Sequence, residues 1–137
     1  MENLVNVHFI YKMLQNISFY DLDDCESVFE TLEVNNEKEV KKVIRYLILL
    51  PYYMEKKEFQ KIFKDTLAYY LTTENISFKD LYEHEMPSFE VTNSPKDFFI
   101  WVWEEFYGNE DFKIEDTSLY HEDHSKKYIK KFYPYLY

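Results

Sequence analysis

Glycine occurs once in the 137 residues, at Gly108, and alanine once, at Ala68; proline occurs four times. So little glycine excludes phosphate-cradling loops and starves the tight turns on which sandwiches and barrels depend, leaving helix as the default element. Cys25 stands alone, so neither an intramolecular disulfide framework nor a multi-cysteine zinc site is available, and a reducing compartment is the expected setting. Arginine is nearly absent, Arg45 being the single example, while lysine, asparagine, isoleucine and aromatics abound, the usage of an AT-rich coding genome such as that of a bacterium or phage. The longest apolar stretch, "YLILLPYYM" at 46–54, is far too short to span a bilayer, and "MENLVNVHFIYK" lacks the basic start and apolar run of a signal peptide. A cytoplasmic protein without a membrane role is expected.

What is present is aromatic surface and negative charge. Aromatics make up 20 % of the chain and hydrophobic residues 46 %, which argues against disorder. The formal net charge is −10, a balance that repels nucleic acid and anionic membranes and suits a basic partner. The excess is segregated: between Glu74 and His124 fourteen acids face only Lys79, Lys96 and Lys113. Such a run is either a solvated face or a partner surface.

The length fits a single domain over residues 1–137, and periodicity predicts an all-α bundle of five to six helices with an irregular or extended piece near 86–93. Val40, Val43, Ile44, Leu47 and Ile48 recur at helical spacing, with Asn36 as cap and Pro51 as the expected stop. A second helix over about 55–72 carries Phe59, Ile62, Phe63, Leu67, Tyr70 and Leu71 on one stripe. Residues 1–17 fit both helix and strand; helix is preferred because no convincing partner strand is evident. A short helix over about 22–33 would turn Cys25 inward as a core residue, and "SFKDLYEH" predicts another. "SKKYIKKFYPYLY" predicts a closing helix with Tyr128, Ile129 and Phe132 inward.

The segment "SPKDFFIWVWEEFYGNED" has the clearest boundaries: Ser94 as cap, Pro95 at the first helical position and Gly108 as stop. At about 100° per residue, Phe98, Phe99, Ile100, Val102, Trp103, Phe106 and Tyr107 fill one arc of about 200°. Trp101 falls outside that arc, angularly between Glu104 and Glu105, with Asp97 one turn earlier. Either a neighbouring element covers it, or it is an exposed anchor whose ring and surrounding acids engage Lys or Arg. Glu110 and Asp111 extend the acidic surroundings.

Catalytic and metal signatures are sparse. "HEDH" at 121–124 places His121 and His124 at i, i+3, two ligands where zinc needs three or four. An exposed acidic turn is the competing reading. "EHE" at 83–85 has neither nucleophile nor oxyanion donors at recognisable spacing, and no G-x-S-x-G or HExxH occurs. Neither an enzyme nor a cofactor is expected. Lys126, Lys127, Lys130 and Lys131 among aromatics suit nucleic acid in pattern, but read more simply as an internal complement to the acidic half.

"PYYME" sets Tyr52 and Tyr53 beside Glu55, and "DTLAYYL" carries a second tyrosine pair, Tyr69 and Tyr70. Together with size, acidity and helix content, this resembles the bacterial toxin-immunity proteins, in particular the helical colicin-type members whose paired tyrosines lie beside acids at the toxin interface; there the pair precedes a proline, whereas here Pro51 precedes Tyr52. The resemblance implies a cytoplasmic inhibitor of a basic, nuclease-type toxin and points to Tyr52 and Tyr53; helix geometry and charge add Trp101, Asp97, Glu104, Glu105, Glu110 and Asp111 as expected partner-binding residues. A phage-encoded DNA mimic or anti-defence inhibitor is the alternative, and a small metal-binding protein using the "HEDH" segment the third.

Overall fold

A computed structural model describes residues 3–17, 36–85, 87 and 94–137. Strand β1 (Asn3–Asn6) leads directly into α1 (Val7–Leu14) and a 3-10 turn at Gln15–Ile17. A continuous helical run then comprises α2 (Glu37–Val43), a π-helical stretch (Ile44–Leu49) and α3 (Leu50–Met54). Next come α4 (Lys57–Thr72), α5 (Phe78–Glu83) and α6 (Pro95–Tyr107). The chain closes with a 3-10 turn at Thr117–Leu119, strand β2 (Tyr120–Asp123) and α7 (Lys127–Phe132). The predicted helix at 22–33 lies outside the described residues, as does the irregular piece at 86–93 apart from Pro87.

The fold is mostly helical but not all-α. β1 and β2 pair in parallel, with Asn3 opposite Tyr120 and Asn6 opposite Asp123. This corrects two expectations: residues 3–6 are strand rather than helix, and the "HEDH" segment is their partner strand rather than a turn. A parallel pair needs a crossover, and here most of the chain supplies it. Asn6 ties the sheet to its surroundings. Its backbone N–H donates to Thr66 Oγ1 on α4 at 2.9 Å; its Oδ1 accepts from His8 N as the cap of α1; its Nδ2 donates to the Ser125 carbonyl at 2.9 Å. Asn6 and Thr66 are both fully buried.

Pro51 does not end its helix. A proline ring clashes with the carbonyl four residues back, but the π stretch before it has already widened the turn, and Leu50 N–H bonds to the Arg45 carbonyl, five residues back. The helix therefore runs on to Met54, with Pro51 in the first turn of α3. The wider turns also change which face is buried. In an α-helix Val43 and Tyr52, nine residues apart, would lie on opposite sides at about 100° per residue, yet both are buried. At two other predicted boundaries the Asn36 side chain accepts from Glu39 N, and Gly108, at φ +64°, stops α6; Ser94 precedes Pro95 as expected but its side chain makes no capping bond, and the closing helix is confined to Lys127–Phe132.

The core is aromatic. Phe9, Phe59 and Phe132 meet with centroids 4.9–5.7 Å apart, joining α1, α4 and α7. Tyr52 packs on Phe106 at 4.6 Å, and Phe63 on Phe106 at 5.3 Å, joining α3 and α4 to α6. The predicted stripes of α4 and α6 are buried here, as is Ile129 of α7. Two buried tyrosines keep their hydroxyls paired: Tyr52 with Tyr107 at 3.0 Å, and Tyr70 donating to Glu122 on β2 at 3.0 Å.

Asn6→Ala removes a helix cap and leaves the Ser125 carbonyl without its buried donor, so a loss of about 2–4 kcal/mol is expected, read as a fall of roughly 10 °C in melting temperature. Asn6→Asp keeps the cap acceptor but turns a carboxylate toward that carbonyl, and should destabilise as well. Retention of wild-type stability by both variants would rule out this hub.

Burial, and then the hydrogen bond with Tyr52, push the Tyr107 phenol far above its ordinary range; burial, and then the Glu122 carboxylate, do the same for Tyr70. The unfolded phenols ionise near about 10. Because the folded values are raised, this stabilisation is complete below that pH and is lost as pH rises above it. Absorbance at 295 nm should show tyrosines that ionise only together with loss of the helical circular dichroism signal, and Tyr70→Phe should weaken that coupling.

Candidate functional site

Helix α6 and the loop after it carry most of the expected site, and the fold sorts the residues sharply. Trp101 is half-buried and packed against the core. Its expected ring of acids is dispersed: Glu104 meets Lys41 at 3.4 Å, and Glu105 takes Arg45 Nε and Nη2 at 3.2 Å each, both pairs clamping α6 to α2 and the π stretch. Asp97 is exposed in the first turn. The tyrosine pair splits, Tyr52 lying in the core and Tyr53 on the surface. Tyr52 is thus not available for surface contact.

The free carboxylates lie further along. After Gly108 the chain folds back on α4, held by Trp103 Nε1 donating to the Glu110 carbonyl, by Thr72 Oγ1 donating to the Phe112 carbonyl and by Ile114 N donating to Thr72 Oγ1. Between this loop and α4 runs an open groove of about 610 Å³. Ala68, Trp103, Phe112, Ile114 and Leu119 supply its apolar surface, and Asp65, Glu110, Asp111, Glu115 and Asp116 its acids. Two lysines on α4 are already engaged: Lys61 with Asp65 at 2.7 Å, and Lys64 with Glu110 at 2.8 Å while resting over the Tyr107 ring. Asp111, Glu115 and Asp116 have no cation within ion-pair distance among the described residues; Lys113 adds the groove's third positive charge. Asp111 accepts from Lys113 N, and Asp116 from Ser118 N and Oγ, bonds that hold the Asp116 carboxyl below its ordinary value and keep it ionised.

The groove is therefore acid-rimmed over an apolar floor, with Leu119 62 % exposed at its edge. That combination takes the aliphatic stem and charged head of a lysine or arginine. Glu110 and Asp111 belong to it, whereas Glu115, Asp116 and Leu119 were not among the expected site residues; the acid count pointed to this half of the chain but not to which acids stay unpaired.

The histidines take structural positions. On β2, Glu122 accepts from Tyr69 and Tyr70 and meets His124 Nε2 at 3.2 Å, and His8 Nε2 lies 2.9 Å from the His124 carbonyl. His121 is exposed on the same strand. Among the described residues no three His, Cys, Asp or Glu side chains converge to hold a metal ion, and no helix is long and apolar enough to cross a membrane.

Because Trp101 packs against the core, Trp101→Ala should cost stability, by about 2 kcal/mol at half burial, measured by urea denaturation. An unchanged midpoint would restore the exposed-anchor reading. Scans against protein-family models, curated proteins and solved structures give no match to this chain.

Proposed function

We propose that the chain is a small acidic protein that binds and neutralises a basic protein partner, of immunity-protein type, the partner being a nuclease-like toxin domain. The observation that carries this reading is the acid-rimmed groove beside α4: among the described residues Asp111, Glu115 and Asp116 have no cation partner, Asp111 and Asp116 are fixed by Asx-type bonds on a stapled loop, and apolar surface lies exposed beside them. Fixed negative charge raises the encounter rate with a basic active site, and the apolar floor supplies contact that slows dissociation. A nuclease active site must be basic to hold phosphates, so its plug must be acidic.

The alternative, a DNA mimic, needs carboxylates repeated at phosphate-like intervals. Glu104 and Glu105 on α6 and Glu110 in the loop after it, which would continue such a row, are drawn into pairs with Lys41, Arg45 and Lys64. Inhibition of a single basic site is favoured accordingly.

The test is co-expression with the basic protein encoded by the adjacent reading frame, scored by growth and by association rate. Wild type should restore growth, and Asp111→Lys/Glu115→Lys/Asp116→Lys, shown folded by circular dichroism, should slow association by at least about tenfold at low salt. Equal protection by the triple variant, or no complex with wild type, would sink the proposal.

A further inference from the structure

A second surface differs from the first in every respect. Along the helical run of residues 37–54, Tyr46, Leu50, Tyr53 and Met54 stand 63 %, 52 %, 59 % and 88 % exposed. All four line one groove and so form a continuous strip on one side of the run. Isolated exposed apolar residues are ordinary, but four large ones in a row mark a contact surface. The stripe forms one wall of an open groove of about 640 Å³, whose opposite wall is Lys12, Asn16 and Tyr133. It shares no lining residue with the acidic groove.

Charge restricts the occupant. Lys42 sits one turn before Tyr46, Lys56 and Lys57 follow Met54, and all three are exposed with no ion-pair partner among the described residues. Lys12 lies over the Tyr133 ring at 4.6 Å. Among the described residues, the acids that follow Met54 are Glu55, which is engaged by the Tyr133 hydroxyl and faces Lys12, and Glu58. In a chain of net charge −10 this margin is locally positive. The overall charge opposes an anionic membrane.

We infer that this groove is a second docking site, distinct from the acid-rimmed one, for an amphipathic helix with apolar anchors and acidic flanks. The anchors lie against Tyr46, Leu50, Tyr53 and Met54, and the flanking carboxylates meet Lys12, Lys42, Lys56 and Lys57, the helix-in-groove mode of recognition.

The probe is a labelled synthetic helix about four turns long, with leucine and phenylalanine at i, i+3, i+4 and i+7 and glutamate elsewhere, followed by anisotropy against the full chain. Binding at roughly 10–100 µM is expected, with a loss of at least about tenfold in Leu50→Asp and Met54→Glu. Both replaced side chains are exposed, so melting temperature should hold and separate lost binding from lost folding. In the Asp111→Lys/Glu115→Lys/Asp116→Lys background, which removes the acid-rimmed groove as a competing site for cations, the same peptide with lysine for glutamate should bind at least tenfold more weakly than the glutamate peptide. Equal binding of the lysine peptide, or undiminished binding to the two variants, overturns the inference.

Three further outcomes assign the stripe another occupant and overturn it too. A dimer in sedimentation that Leu50→Asp dissolves identifies a second copy. Flotation with phosphatidylglycerol vesicles that the same variant abolishes identifies a bilayer. Binding seen only after Asp21, Asp23, Asp24, Glu26, Glu30 and Glu33 are changed to their amides identifies the chain's own acidic stretch.

Discussion

A buried asparagine has to place its amide hydrogens and carbonyl lone pairs away from water, and the solution found by Asn6 determines where both ends of the chain go. Its Oδ1 starts α1, its Nδ2 holds the turn after β2 through the Ser125 carbonyl, and its backbone N–H joins α4 through Thr66. Ser125 N–H in turn donates to Asp123 Oδ1, which sets the approach to α7. From that turn follow the burial of Ile129, the contact of Phe132 with Phe9 and Phe59, and the position of Tyr133 against Glu55. A four-residue parallel pair has little stability of its own; the polar hub and the aromatic cluster beneath it supply what the ladder lacks.

Helix α6 is the second organising element, and its acids serve it first. Glu104 and Glu105 are spent on Lys41 and Arg45 across the helix interface, and Glu110 on Lys64. Exposed pairs of this kind contribute at most about 1 kcal/mol each, so they orient the packing more than they stabilise it. Their functional consequence is subtraction. Of the acids in the second half of the chain, those held between helices are neutralised locally, and in the loop after Gly108 Asp111, Glu115 and Asp116 have no cation partner among the described residues. The electrostatic character of the acid groove thus results from which carboxylates the helix interfaces leave over.

This division explains what could be read from the sequence. Features set within one turn were legible: the Asn36 cap, the Pro95 start and Gly108 stop of α6, and the inward stripes of α4 and α6. Features set by partners far along the chain were not. β1 is four residues whose partner begins 117 positions later, and no local period announces a strand that short. The π stretch was equally hidden, because Val40, Val43, Ile44 and Ile48 satisfy an ordinary helical pattern until Tyr52 is found on the same buried face. The expectation of Tyr52 at the surface came instead from the resemblance of its tyrosine pair to that of immunity proteins, and the widened turn buries it. The segregation of acids was visible, but pairing is three-dimensional, so Glu104 and Glu105 looked as available as Asp111.

The two grooves carry opposite local charge on a chain whose net charge is strongly negative, and this asymmetry bears on how recognition is shared between them. Long-range attraction depends on net charge and its distribution, so encounter with a basic partner is governed by the acidic half and weakens with salt. The stripe from Tyr46 to Met54 has no such reach, since its lysines act against the field of the whole molecule. Its contribution comes after contact, through apolar area that must be desolvated and through anchors that slow dissociation. The π stretch is what makes that stripe possible: by turning Val43 and Tyr52 to the same buried side, it leaves Tyr46, Leu50, Tyr53 and Met54 together on the other. A helix of uniform pitch would have had to bury part of the stripe or expose part of the core.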